Sequence, residues 1–432
     1  MHKPKLVIFD MDGLMFDTER MGSRCHIQAA KEFGYTISEE LSMSLIGGNM
    51  IRNTKILKEA LGEDCPLDKI RERSGEYREV HFQEHGLGVK PGLVELLDYL
   101  KSEDIKMAIA SSSGRAVIDR YLKMSSLEGR FDYIISGDMI HNSKPHPEIF
   151  LHVCEHFSVD VQDALVLEDS KNGIMAAHAG NIPVICVPDL IFHEREIFEM
   201  TTATVSSLFK VKELLQGIKP KVAIFDMDGL MFNTEWLCIE PLIKAHHDYG
   251  YPMTKEICHK LIGTSGKIAK EILVSEFGTD YPYETVDRHA FALLRKEIDT
   301  NGLPMKKGLI KLLERLKALN VACVIGSSSS SKTIEHYLEI SNTRQYFKGI
   351  VGGDMVKASK PEPDVFIKAC ELFEVEPSQA IVLEDSKNGI IASNRAGIPV
   401  VCVPDLLMHD QGLLEQSEMF ISDLGKLADI LG

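Results

Sequence analysis

The sequence predicts an α/β fold built twice in one chain, each copy a parallel sheet covered by helices with a helical segment inserted into it. Three observations predict this. A shift of 216 residues lays the chain on itself without a gap, apolar strand-length runs alternate with helical patterns in each half, and a polar helical stretch interrupts that alternation after the first strand. FDMDGLMFDTE (9–19) returns as FDMDGLMFNTE (225–235), SKP (143–145) at 359–361, VLEDSKNGI (166–174) at 382–390 and IPV (182–184) at 398–400. About 80 of the 216 aligned pairs are identical. A period of that length is too long for a solenoid unit, so it marks two complete domains, 1–216 and 217–432.

Each element has its own signature. LVIFD (6–10) is apolar and short, a buried strand. The polar stretch at about 18–86 is helical and reads as a cap. After Pro91-Gly92 comes an amphipathic helix, LVELLDYLKS, and then strand IKMAIAS (105–111). Alternation follows: a helix near 115–123, strand DYIIS, a helix near 146–157, strand ALVLED, a helix near 171–179, strand IPVICVP, a weak strand near 203–206 and a last helix. Such alternation implies right-handed crossovers and a parallel sheet with helices on both faces. The second half repeats the order, its cap at about 234–302, and only Gly217 and Ile218 separate the halves, which are expected to touch.

Composition narrows the function. The 432 residues are 44% hydrophobic and 26% charged, as in ordinary globular chains, with a net charge of -16 shared by both halves. Neither half attracts nucleic acid or an anionic membrane through its overall field. No run of about 18 apolar residues suggests a membrane span, and a cytoplasmic location is expected. The nine cysteines form no CxxC pair, and those that recur, Cys154 with Cys370 and Cys186 with Cys402, read as small buried apolar residues. His152 and His156 are spaced i, i+4, but Lys368 and Leu372 replace them in the second half, so a solvated helix face is expected there rather than a metal site.

Four polar signatures fall where strands end: Asp10, Ser111, Lys144 and Glu168-Asp169. Ligands of an open α/β sheet bind at the carboxyl ends of its strands, so these residues should converge on one pocket. Asp10 and Asp12 flank a single residue before Gly13. Two carboxylates this close repel each other and a phosphate, which calls for a divalent cation, and hard oxygen ligands suit Mg2+. With Lys144 and the cation neutralising charge, Asp10 can attack phosphorus while Asp12 serves as acid and then base. Ser111 and nearby amides would hold the phosphoryl oxygens. Each signature alone is commonplace; all four, in this order and twice over, are not.

On these motifs the chain resembles two fused members of the haloacid dehalogenase superfamily, in the branch with a helical cap after the first motif, similar to β-phosphoglucomutases and to sugar-phosphate or nucleotide phosphatases. The resemblance implies nucleophiles Asp10 and Asp226 and acid/base residues Asp12 and Asp228. It implies phosphate binding by Ser111 and Lys144 in one site and by Ser327 and Lys360 in the other. It places Mg2+ on Asp10, the main-chain oxygen of Asp12 and Asp169, with Glu168 beside it, and on Asp226, Asp228, Asp385 and Glu384 in the second half.

Departures from the mutases matter. Where they carry a His after DTxE this chain has Gly22 or Cys238, and the cap loops LIGGNM (45–50) and LIGTSG (261–266) lack their Arg. Transfer to water is therefore expected: a Mg2+-dependent phosphatase with two sites, acting on a small phosphorylated metabolite. The alternatives are a β-phosphoglucomutase-like phosphomutase, and a chain in which one half is a scaffold or sensor. Asp17, which becomes Asn233, is expected to cap a helix. The repeats match at about 67 of 147 core positions but at about 16 of 69 cap positions, so the halves are expected to differ in substrate.

Overall fold

The computed structural model describes residues 3–45, 50–261, 266–405 and 410–431. It comprises two compact units, Met1–Gly217 and Ile218–Gly432. The first unit contains strands β1 (Leu6–Phe9), β2 (Lys106–Ser111), β3 (Tyr133–Ser136), β4 (Ala164–Glu168), β5 (Val184–Cys186) and β6 (Ala203–Thr204). They lie in the order β3-β2-β1-β4-β5-β6, every pair parallel. The second unit repeats this with β7 (Val222–Phe225), β8 (Ala322–Gly326), β9 (Phe347–Val351), β10 (Ala380–Glu384), β11 (Val400–Cys402) and β12 (Met419–Phe420), ordered β9-β8-β7-β10-β11-β12.

Burial on both faces explains the unbroken apolar strands. Leu6 and Ile8 of β1 pack with Ala108, Val166, Phe150 and Ile174 in a continuous core, against helices Glu148–Phe157 and Lys171–Ala179. In each sheet the chain leaves the central strand in opposite directions, β1 lying between β2 and β4. That reversal opens a crevice at the strands' carboxyl ends.

The inserted cap is four helices, Thr18–Glu32, Glu39–Leu45, Met50–Leu61 and Leu67–His85, with a small core of its own that includes Ala29, Ile37, Leu57 and Ile70. Its counterpart consists of Thr234–Asp248, Lys255–Leu261, Gly266–Phe277 and Tyr283–Asn301. The chain enters and leaves the cap through adjacent segments. Phe16 bridges Val89 antiparallel, Asp17 N donates to Gly88 O (2.9 Å) and Lys90 N to Met15 O (2.9 Å). The second unit has the same stitch, from Asn233 N to Pro304 O (3.0 Å) and from Lys306 N to Met231 O (2.8 Å).

Two details depart from the sequence reading. A short helix, Arg195–Met200, precedes β6 and was not anticipated; six residues are too few to display a period. Asp17 and Asn233 stand at the N-cap positions of their helices but make no capping hydrogen bond, and Asp17 Oδ1 is buried without a partner. His152 and His156 are exposed on one helix face beside Tyr133, the His156 ring stacked on it at 3.8 Å. All nine cysteines are free, and Cys154, Cys186, Cys370 and Cys402 are buried. Among the described residues, no helix is long and apolar enough to cross a membrane.

Candidate active site

Asp10 follows β1 directly and is fixed there by its amide, which donates to Leu167 O of β4 at 3.1 Å. Next to it the chain turns at Gly13, with φ +84°. A Cβ on Gly13 would stand 2.1 Å from Asp169 Oδ2, so glycine is required both for the turn and for this approach. Gly229 repeats the arrangement, with φ +83° and 2.2 Å to Asp385 Oδ2.

Lys144 reaches the same point from the loop after β3. Its ammonium donates to Asp10 Oδ1 (2.5 Å), Glu168 Oε1 (2.7 Å) and Ala110 O (3.1 Å), with the Phe150 ring 4.8 Å away. In the second unit Lys360 donates to Asp226 Oδ1 and to Glu384 Oε1 (2.7 Å). Burial opposes the charge on Lys144, but Asp10 and Glu168 outweigh it and hold its pKa above the usual lysine range. The cation is therefore permanent.

Glu168 is engaged on both oxygens. Its Oε2 accepts from Asp169 N (2.9 Å), Ser170 N (2.8 Å) and Ser170 Oγ (2.9 Å). Ser170, rather than either acid, caps helix Lys171–Ala179, accepting from Gly173 N at 3.1 Å. The Glu-Asp pair is thus released from capping. Glu384, Ser386 and Gly389 reproduce these bonds.

The second aspartate of each motif is held differently from the first. Asp12 accepts from Thr18 Oγ1 (2.8 Å) and Ser113 Oγ (2.8 Å). Ser113 N in turn donates to Ser111 Oγ (3.0 Å), which fixes the buried Ser111 at the end of β2. Asp228 accepts from Ser329 Oγ (2.7 Å), and Ser329 N donates to Ser327 Oγ (3.1 Å). Thr18 and the Ser113 hydroxyl were missed from sequence. The signal was there, because SSS stands at 111–113 and again at 327–329.

In each unit both aspartates of the first motif, the serine, the lysine and the aspartate after the fourth strand face one cavity. The first, about 460 Å³, is lined by Asp10, Asp12, Ser111, Lys144 and Asp169, and from the cap side by Glu19, Leu45, Met50 and Asn53. The second, about 430 Å³, is lined by Asp226, Asp228, Ser327, Lys360, Glu384 and Asp385, with Glu235, Cys238 and apolar cap residues. Gly22 lines a neighbouring cavity within the first cap. Most of each cap loop, residues 46–49 and 262–265, lies outside the described residues.

Charge in the crevice is out of balance. Ligand atoms of Asp10, Glu168 and Asp169 lie within 4.8 Å of one another, with one ammonium among them. Burial, reinforced by Glu168 against the pull of Lys144, pushes Asp10 up to about 7, and burial with Glu168 and Asp10 raises Asp169 well above the usual carboxylate range. Asp226 is pushed up to about 8 in the same way. Asp169 Oδ1 is buried with no hydrogen-bond partner. An uncompensated cluster of hard oxygens with one orphaned atom fits a divalent cation. Asp10 and Asp169 would hold it; Glu168 could join only by exchanging one of its present donors.

The profile of the haloacid dehalogenase-like hydrolases matches residues 7–187 and again 223–403. A phosphorylated carbohydrates phosphatase from Thermotoga maritima is 36% identical over 213 residues, 49% of this chain and 97% of that protein. A phosphoglycolate phosphatase from Nitrosospira multiformis is 29% identical over 227 residues, 50% of this chain and 99% of its own. Among solved structures, a β-phosphoglucomutase from Clostridium difficile is 25% identical, covers 49% of this chain and 96% of its own, and gives a TM-score of 0.41. The chain belongs to the haloacid dehalogenase-like hydrolase family, as a tandem fusion of two of the family's domains.

Proposed function

We propose that the protein is a Mg2+-dependent phosphatase with two active sites, hydrolysing small organic phosphate monoesters through an aspartyl-phosphate. One observation carries the reading: in each unit an aspartate paired to a buried lysine stands two residues from a second aspartate held by a serine hydroxyl, and both aspartates line one cavity. An Asp10 oxygen attacks phosphorus and the bond to the leaving oxygen breaks, with Asp12 delivering its proton to that oxygen. Asp12 then takes a proton from water, which attacks phosphorus, breaks the acyl-phosphate P–O bond and returns Asp10 with inorganic phosphate. Ser111 and Lys144 bind the phosphoryl oxygens. Mg2+, when bound, neutralises the phosphate and the crowded carboxylates.

Asp228 suits the acid role in the second site, because burial, against Ser329, holds its pKa above the usual carboxylate range. Transfer to water is favoured over transfer to a second sugar, since Gly22 and Cys238 stand where the mutases have a His. A screen of phosphorylated metabolites tests the reading. Phosphate release that depends on Mg2+ and is abolished by chelation is expected; release unaffected by chelation would overturn the metal assignment.

The raised carboxylate pKa values give an independent test. A carboxyl whose folded pKa lies near 7 or 8, against about 4 unfolded, favours the folded state most at low pH. That contribution is lost as pH rises through the folded value. Mg2+ competes with those protons, so its stabilising effect must grow over the same window. Saturating Mg2+ is expected to raise Tm by about 5 °C or more at pH 8 and by about 1 °C or less at pH 5. Equal shifts at the two pH values would exclude Asp10 and Asp226 as its ligands.

A further inference from the structure

The first unit holds a second cavity, about 300 Å³, inside the cap. Glu19, Leu45 and Asn53 line both it and the crevice at Asp10, so the two adjoin. Its walls are polar: Ser23, His26, Ser42, Arg71, Ser74 and Arg78. Ser23 and Ser42 share a hydrogen bond at 2.5 Å. His26 Nε2 is buried with no partner, and burial together with Arg71 and Arg78 lowers the pKa of the ring, leaving a neutral imidazole to exchange hydrogen bonds.

Positive charge dominates this pocket. Arg71 donates to Thr54 and, at 3.1 Å, to Asp68, whose side chain is fully exposed and so screens it weakly. Arg78 stands on the same wall, exposed to solvent. The one acid on the wall is Glu19, which burial and the neighbouring Asp12 and Asp189 push up to about 7.

The same positions in the second unit have the opposite character. Ser23, His26 and Ser42 become Ile239, Leu242 and Cys258, all three lining the second crevice. Arg71 becomes Asp287, Ser74 becomes Ala290 and Arg78 becomes Leu294. The chemistry around phosphorus is duplicated, but the seat for the group attached to it is not.

We infer, on the basis of the phosphatase reading above, that the two sites divide substrates by the polarity of the leaving group. The first takes a hydroxylated leaving group that carries a second anion, phosphate or carboxylate, on Arg71 and Arg78. The second takes an apolar one, against Ile239, Leu242 and Cys258.

The test uses the full chain with one nucleophile removed at a time. Asp226→Asn, which leaves the first site, is assayed on glucose 6-phosphate, 6-phosphogluconate, glucose 1,6-bisphosphate, 1-naphthyl phosphate and acetyl phosphate. Its kcat/KM is expected to be about 10-fold or more higher for the bisphosphate or the phosphogluconate than for glucose 6-phosphate. Whichever of the two leads identifies the anion. Adding Arg78→Leu, on an exposed turn of the cap helix, should reduce that ratio by about 10-fold. Asp10→Asn, which leaves the second site, should show no such preference and should favour 1-naphthyl phosphate over glucose 6-phosphate. A ratio near one in Asp226→Asn, or a ratio that Arg78→Leu does not move, overturns the inference while acetyl phosphate hydrolysis leaves the phosphatase reading standing. Failure of both single variants on every ester, acetyl phosphate included, would overturn that reading and this one together.

Discussion

Replacing both nucleophiles, Asp10→Asn with Asp226→Asn, is expected to lower phosphate release by about 1,000-fold or more, because an amide cannot form the acyl-phosphate and the remaining groups bind without transferring. Either replacement alone should leave the activity of the other unit. Each unit keeps its own lysine bridge from Asp10 to Glu168 or from Asp226 to Glu384, and its own hydroxyl grip on Asp12 or Asp228. Each of these hydrogen bonds joins residues of a single unit. The measurement is phosphate release by the two single variants and the double variant on one ester panel. A single variant inactive on every ester would mean that one unit is silent, and residual turnover in the double variant near the wild-type rate would remove both aspartates from the chemistry.

A different outcome is expected at the second aspartate. With Asp226→Asn silencing the other site, Asp12→Ala retains the nucleophile, so an ester with a good leaving group can still phosphorylate Asp10. Hydrolysis of that intermediate should slow by about 100-fold or more without its general base. The phosphorylated protein should therefore accumulate and be seen as an added phosphate in an intact mass spectrum. Continued turnover with unmodified protein would contradict the division of labour between Asp10 and Asp12. The Ser113 and Thr18 hydroxyls bear on this result, since they hold Asp12 and are left facing the space its carboxylate vacates.

The strand residues were legible because burial on both faces leaves runs such as LVIF and ALVLE with no polar interruption. The functional residues were legible because they sit at the ends of those runs and recur 216 positions later. What sequence could not supply was partnership. Glu168 looked like a metal neighbour, and its bonds show it spending one oxygen on Lys144 and the other on three donors of the following turn. Asp17 looked like a cap; its position is right, but its side chain does not turn back on the helix. The polarity of the cap interior was hidden for a related reason. Ser23, His26 and Arg78 are unremarkable surface residues in a helix read one at a time, and only packing turns them toward a common space.

The paired crossings of Phe16 with Val89 and of Phe232 with Met305 have a consequence for how such a chain changes over time. Both connections between cap and sheet leave from the same spot, stitched by a few backbone bonds that any residue can make. A segment attached in that way is a graft. Its interior can be rewritten without disturbing the register of a single strand, provided its two ends still meet. The two halves match at about 67 of 147 positions outside the caps but at about 16 of 69 within them, as expected of segments tied to the parent body only at their stalks. Close stalks thus make the cap the part of the molecule most free to change while both sheets keep one pattern.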